Sequence, residues 1–136
     1  MNSEQILQQK HSISNHLRIN KAFFGKDNCL KITLNQKGEC YMHFGIADKK
    51  SGSWVWKKIK FNDSELGSIL LVLVGKQKSA SFFHAYNNAN TQIWVNRDKD
   101  YVFLKVKEMS KSISIGEQEV LRVLIEHMIL RMNLKI

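Results

Sequence analysis

The stretch Phe61-Asn62-Asp63-Ser64-Glu65-Leu66-Gly67-Ser68-Ile69-Leu70-Leu71-Val72-Leu73-Val74-Gly75 marks a change of period in the chain. Before Phe61 the apolar residues come in short β-prone runs. After Asn62 they recur at Leu66, Ile69, Leu70 and Leu73, which is the spacing of one helix face. Asn62 with Glu65 three places later has the form of a capping box, and Gly75 supplies a helix stop. Upstream, the runs 17–24, 30–35, 40–47 and 53–61 are separated by Gly25-Lys26-Asp27-Asn28, Lys37-Gly38 and Lys49-Lys50-Ser51-Gly52. Downstream the same order repeats. Runs at 79–86, 91–95, 101–107 and 112–115 precede a long helical segment from Gly116 to about Leu134, with Glu117 and Glu119 in its first turn, where the macrodipole favours acids.

The predicted order is ββββαββββα, a pseudo-repeat of about 60 residues, with turns short enough for antiparallel meanders. Two four-stranded antiparallel sheets whose buried faces share one core with the helices make an α+β domain. At 136 residues one core is feasible, and two independent halves would each be marginal. The domain is expected over residues 17–136, preceded by a polar N-terminal arm, 1–16. The last helix is apolar almost all round, from Val120 through Met132. A helix of that kind in a small domain predicts burial against a second subunit, hence a homo-oligomer.

Charge and composition narrow the function. The chain carries 21 Lys plus Arg against 12 Asp plus Glu, a net +9, and 43% hydrophobic residues argue for a packed globule rather than a basic tail. The excess is mostly lysine, which suits sequence-blind phosphate contacts better than bidentate reading of base edges. Cys29 and Cys40 have no partner motif for zinc and read as reduced core thiols. There is no phosphate loop, nucleophile elbow, His-Glu-x-x-His or paired carboxylate motif, so neither an enzyme, a metal site nor a cofactor is expected. The N-terminus does not read as a signal peptide, and the apolar run 69–74 is far short of the roughly 20 residues a membrane helix needs. The expected location is intracellular: the cytoplasm or nucleoid of a prokaryote or virus-infected cell, or an organelle matrix for a processed protein.

Strand alternation then sorts the charge. In the fourth run Trp54, Trp56, Lys58 and Lys60 share one face, while Val55, Ile59 and Phe61 form a core face that Lys57 interrupts. In the seventh, Tyr101, Phe103, Lys105 and Lys107 oppose Val102, Leu104 and Val106. Each face runs aromatic, aromatic, Lys, Lys. Tyr41 and His43 join from the third run. Rings offer stacking surfaces to unpaired bases and the lysines meet phosphates, a layout that favours single strands because a duplex exposes no base faces. Strand aromatics also serve as packing residues, and Trp94 is open to both readings. His84, in Phe82-Phe83-His84, reads as a hydrogen-bonded strand histidine.

The segment from Phe61 to Leu70, continuing through Gly75-Lys76 to Ser81-Phe82-Phe83-His84, resembles the middle of the Whirly proteins, where a strand ending in Phe leads into a Glu-(Ile/Met)-Gly-(Ser/Thr)-Leu helix and then a Phe-Phe-His strand. The resemblance covers roughly Leu17 to the C-terminus. Pur-alpha repeats share the ββββα order, and the Phe-Phe-His segment favours Whirly. The plant motif Lys-Gly-Lys-Ala-Ala-Leu is matched only at Lys21 and Ala22, its first lysine and glycine being absent. The resemblance, which extends to mitochondrial guide-RNA-binding proteins and PC4-like coactivators, implies single-stranded nucleic-acid binding by protomers joined through their helices, a tetramer before a dimer. The expected function is sequence-independent single-stranded DNA binding in replication, repair or recombination. RNA binding or annealing, and a coactivator module, are the alternatives. The expected contacts are Trp54, Trp56, Tyr101 and Phe103 for bases, Lys58, Lys60, Lys105, Lys107 and Lys21 for phosphates, and Tyr41 and His43 beside them.

Overall fold

The computed structural model describes residues 17–86 and 89–134; the expected arm, 1–16, lies outside the described residues. Strands β1 (Leu17–Phe24), β2 (Asn28–Asn35), β3 (Cys40–Ala47) and β4 (Trp54–Phe61) lead into helix α1 (Asp63–Leu73). Strands β5 (Ser79–Tyr86), β6 (Ala89–Asp98), β7 (Tyr101–Val106) and β8 (Met109–Ile113) lead into helix α2 (Ile115–Asn133). Each set of four is an antiparallel meander in sequence order, so β4 and β5 are both edge strands. The α+β class and the ββββαββββα order are as the periodicity indicates.

The period change at Asn62 is a built helix start. The Asn62 side chain accepts from the Glu65 backbone N–H at 2.8 Å, and the Glu65 carboxylate accepts from the Asn62 backbone N–H at 3.0 Å. At the other end Gly75 takes φ +78°, and N–H groups of Gly75 and Lys76 return to the carbonyls of Val72 and Leu71. That is the paired hydrogen bonding of a Schellman stop, which a residue with Cβ enters only with strain. At α2 the Glu117 carboxylate accepts from both the backbone N–H and the hydroxyl of Ser114.

One apolar core joins the layers. Phe44, Leu30, Ile32 and Met42 from the first sheet, Ile93, Leu104 and Ile113 from the second, and Leu66, Ile69 and Leu121 from the helices are fully buried in a single cluster. Phe61 packs edge-on against Phe82 at 6.1 Å, tying β4 to β5. Arg97 of β6 closes the helical layer: its guanidinium donates to the carbonyls of Val72 and Leu73 at the end of α1, and to the Gln118 side chain of α2. Cys29 and Cys40 are both buried free thiols, and burial pushes the Cys40 thiol up to about 12.

Three expectations need correction. Val55 is 51% exposed, not core: the first three residues of β4 are exposed whichever face they occupy, and burial on the core face begins only at Ile59. Strand β7 ends at Val106, and Lys107, at φ +53°, lies in the two-residue turn to β8 rather than on the strand face. Strand β8 consequently starts at Met109, three residues before the alternation suggested. Neither turn at Lys99 nor that at Lys107 has a glycine to announce its positive φ. No helix among the described residues is long and apolar enough to cross a membrane.

Candidate nucleic-acid interface

Antiparallel register builds the site on the outer face of the first sheet. Trp54 lies opposite Ala47, Trp56 opposite Gly45, Lys58 opposite His43 and Lys60 opposite Tyr41. On the next strand His43 faces Lys31 and Tyr41 faces Thr33. Five of the expected contacts, Trp56, Lys58, Lys60, Tyr41 and His43, thus stand on one surface with Trp54 at its end. The small residues Gly45 and Ala47 beneath the tryptophans let their rings lie down. A Cβ placed on Gly45 would sit 2.7–2.9 Å from three carbons of the Trp56 ring. Trp54 and Trp56 stack on each other, centroids 5.7 Å apart at 24°, and Phe24 meets Trp54 edge-on at 6.4 Å. Both rings nevertheless keep solvent-accessible surface: Trp54 remains 38% and Trp56 46% exposed.

Cations flank these rings. Lys31 Nζ lies 5.9 Å from the Trp56 centroid, and Lys58 Nζ 4.2 Å from that of Tyr41. Such contacts hold an ammonium beside an aromatic surface without neutralising it, so the charge stays available. Lys60 is different, because it pairs with Glu39 at 3.0 Å. His43 sits between Lys31 and Lys58, its Nε2 3.1 Å from Thr33 Oγ1. Burial, with those two lysines, pushes its imidazole down to about 4, so it is neutral at pH 7 and serves as a polar spacer.

Beside this face runs a groove of about 740 Å³ between the two sheets, lined by Tyr41, Lys57, Lys58 and Lys60 from one side and His84 and Thr91 from the other. Lys57, which interrupts the core alternation of β4, is half-buried and lines this groove. His84 is held by Glu65 at 2.6 Å, so the acid that caps α1 also fixes the histidine of the Phe-Phe-His strand.

The second sheet carries a separate aromatic face. Phe103 lies opposite Asn96 and Lys105 opposite Trp94, while Tyr101 and Phe103 rings stand 6.4 Å apart. Trp94 and Phe83 are exposed on that side as well. The two aromatic runs are not equivalent, since β4 is an edge strand and β7 an interior one. Lys107 stands outside this face, in the turn. Lys21 also stands apart: it pairs with Ile32, on the opposite face of the first sheet from Trp56, with Nζ 5.4 Å from the Phe23 centroid. Phe24, Lys31 and Gly45 belong to the site and were missed, because only cross-strand register brings them to Trp54 and Trp56. Among the described residues no three His, Cys, Asp or Glu side chains group as metal ligands.

Two crossed-over halves of a four-stranded meander and a helix, sharing one core, are also what solved structures display. The plant transcriptional regulator PBF-2 superposes at a TM-score of 0.65, with 14% identity over 84% of this chain and 81% of that one. WHY1 from Arabidopsis thaliana gives 0.65, with 12% identity over 84% of this chain and 90% of that one. This is the Whirly fold. Trypanosome MRP1/MRP2 is a more distant match, at 0.52 and 12% identity over 96% of this chain and 95% of that one. No protein-family model matches the sequence, and no curated protein does. At such identities the Whirly likeness is one of fold, and the side chains of the outer sheet face have to be read on their own.

Proposed function

We propose that the protein binds single-stranded nucleic acid, DNA in the first instance, without catalysis and with little sequence preference, as a homo-oligomer serving replication, repair or recombination. The observation that carries this reading is the partly exposed Trp54–Trp56 stack, with the Lys31 ammonium over the Trp56 ring and the Lys58 ammonium over Tyr41 on the same sheet face. A base added to that stack keeps its edges in solvent, which makes the contact sequence-tolerant, while its phosphates reach Lys58 and the groove lysines. The aromatic face of β7, with Tyr101, Phe103 and Lys105, supplies a second platform. The Whirly fold of a plant transcriptional regulator lends support. The oligomer rests on α2: Leu121, Ile125 and Met128 face the core, whereas Val120, Val123 and Leu130 form an exposed apolar strip on the opposite side.

The test is a competition binding series. Converting Trp54→Ala and Trp56→Ala together is expected to weaken single-stranded DNA binding by about 1–3 kcal/mol for each base that loses its platform. Duplex DNA should compete poorly, and matched RNA measures the choice of sugar. Duplex competing as well as single strand would refute the stacking mechanism. In parallel, Val123→Asp with Leu130→Asp is expected to reduce the mass seen by light scattering; a wild-type chain already monomeric at micromolar concentration contradicts the helix-mediated assembly.

A further inference from the structure

Away from the tryptophans, Arg18 at the start of β1, Lys37 in the β2–β3 turn and Arg131 in the last turn of α2 line one cleft of about 220 Å³. Three elements distant in sequence therefore deliver three cations to one place. The turn lies against the helix: a Cβ added to Gly38, which takes φ +79°, would make ordinary contact with the Met132 Cα at 4.0 Å. Among the described residues none of the three cations forms a salt bridge. Glu39, in the same turn region, is already taken by Lys60 and by the Asn35 amide. Among the described residues Arg131 Nε donates to the His127 ring, at 3.3 Å. The end of α2 contributes a partial negative charge of about half a unit, which offsets a fraction of three positive ones. Glu39 also feels Lys37, so the cleft is a concentration of net, partly offset positive charge with a defined shape, a setting that suits an anion.

Its position says which anion. Along the outer face of the first sheet the polar rows run from Trp56 and Gly45, to Lys58, His43 and Lys31, to Lys60 and Tyr41; beyond Tyr41 comes Glu39, whose charge is matched by Lys60, and then the turn that carries Lys37. Trp56 to Lys60 is four residues, about 13 Å of strand. We infer that this cleft binds a phosphate of the same nucleic-acid strand, at the end of the track that starts on the tryptophans, and so turns the strand from the sheet toward the α2 side. The inference rests on the nucleic-acid reading above, but the three cations that form the cleft are not among the contacts of that reading.

Oligothymidylates of about 4 and about 16 nucleotides, the range of site sizes for such binders, separate the two. Changing Arg18→Gln, Lys37→Gln and Arg131→Gln together is expected to leave the short oligomer unaffected and to weaken the long one. The salt dependence of the long oligomer should flatten by about 0.7 in log–log slope, for the one phosphate that the cleft holds. Lys37→Glu alone, in an exposed turn, should act in the same direction without disturbing the helix. Trp54→Ala with Trp56→Ala is expected to weaken both lengths. Unchanged affinity and slope for the long oligomer in the triple variant and in Lys37→Glu overturns the cleft, as does an equal loss for both lengths, which marks a general field effect. If the tryptophan variant binds both lengths normally while the triple variant loses the long one, the stacking mechanism fails and the cleft stands.

Discussion

Gly45→Ala is the sharpest perturbation of the proposed platform, because it adds one methyl group directly beneath it. The new carbon would lie 2.7, 2.8 and 2.9 Å from three ring carbons of Trp56. Carbon atoms in contact rest at about 3.5–4.0 Å, so the ring has to rise or tilt by roughly 1 Å. Trp56 is half exposed and can move outward, and Gly45 lies in ordinary strand backbone rather than at positive φ. Folding stability should therefore change by less than about 1 kcal/mol, the lost ring contact being offset by the smaller backbone entropy of the unfolded chain. Binding should change more. Moving the ring breaks its stack with Trp54 and its contact with Lys31, and forfeiting about 1 kcal/mol of a stacking energy of 1–3 kcal/mol lowers affinity for single-stranded DNA about five-fold. Tryptophan fluorescence during titration with an oligothymidylate, together with a thermal melt, measures both quantities. A Gly45→Ala protein that melts like wild type, emits like wild type and binds DNA with unchanged affinity would show that the Trp56 position does not matter to the site.

The remaining predictions concern stability. His43 is held neutral by burial between Lys31 and Lys58, whereas the unfolded chain takes up the proton near 6.5. The unfolded state thus binds more protons in this window, and the His43 contribution to stability falls as pH drops from about 6.5 to about 4. Glu39 and Asp48, held below the usual carboxylate range by hydrogen bonds to Asn35 and to the Lys50 backbone, also lose stabilisation on acidification. Comparing melts of wild type and His43→Gln across that range isolates the histidine, and equal acid sensitivity contradicts the assignment. Asn62→Ala removes the acceptor for the Glu65 N–H and is expected to cost about 1 kcal/mol in denaturant unfolding. Glu65→Ala should cost more than Asn62→Ala, since it removes both the return half of the cap and the partner of His84.

Much of the architecture was legible before any coordinates. Short alternating runs, a capping box at Asn62 and Glu65, and a stop at Gly75 are local features, and local backbone and side-chain preferences decide them. They yielded two four-stranded meanders with a helix after each. The aromatic and lysine faces of β4 and β7 were legible for the same reason, because alternation at period two needs no partner strand. Turn positions without glycine were not legible. Lys107 left its strand face because the β7–β8 hairpin closes on a two-residue loop, and cross-strand pairing of Val106 with Met109 sets where that loop falls.

Whatever depends on which strands lie side by side was decided by the tertiary structure alone. Register brings Gly45 under Trp56 and Lys31 beside it, and places Lys21 on the other face of the sheet. Val55 is exposed and Lys57 lines the groove, although both occupy core positions by alternation, because the packing that buries Ile59 and Phe61 does not cover the first half of β4. Docking of the β2–β3 turn on the end of α2 gathers Arg18, Lys37 and Arg131, separated by almost the whole chain. A sequence determines periodicity residue by residue. The cost of burying or stranding a charge is settled only when distant segments meet and each lysine acquires, or lacks, a carboxylate, a ring or water as its neighbour.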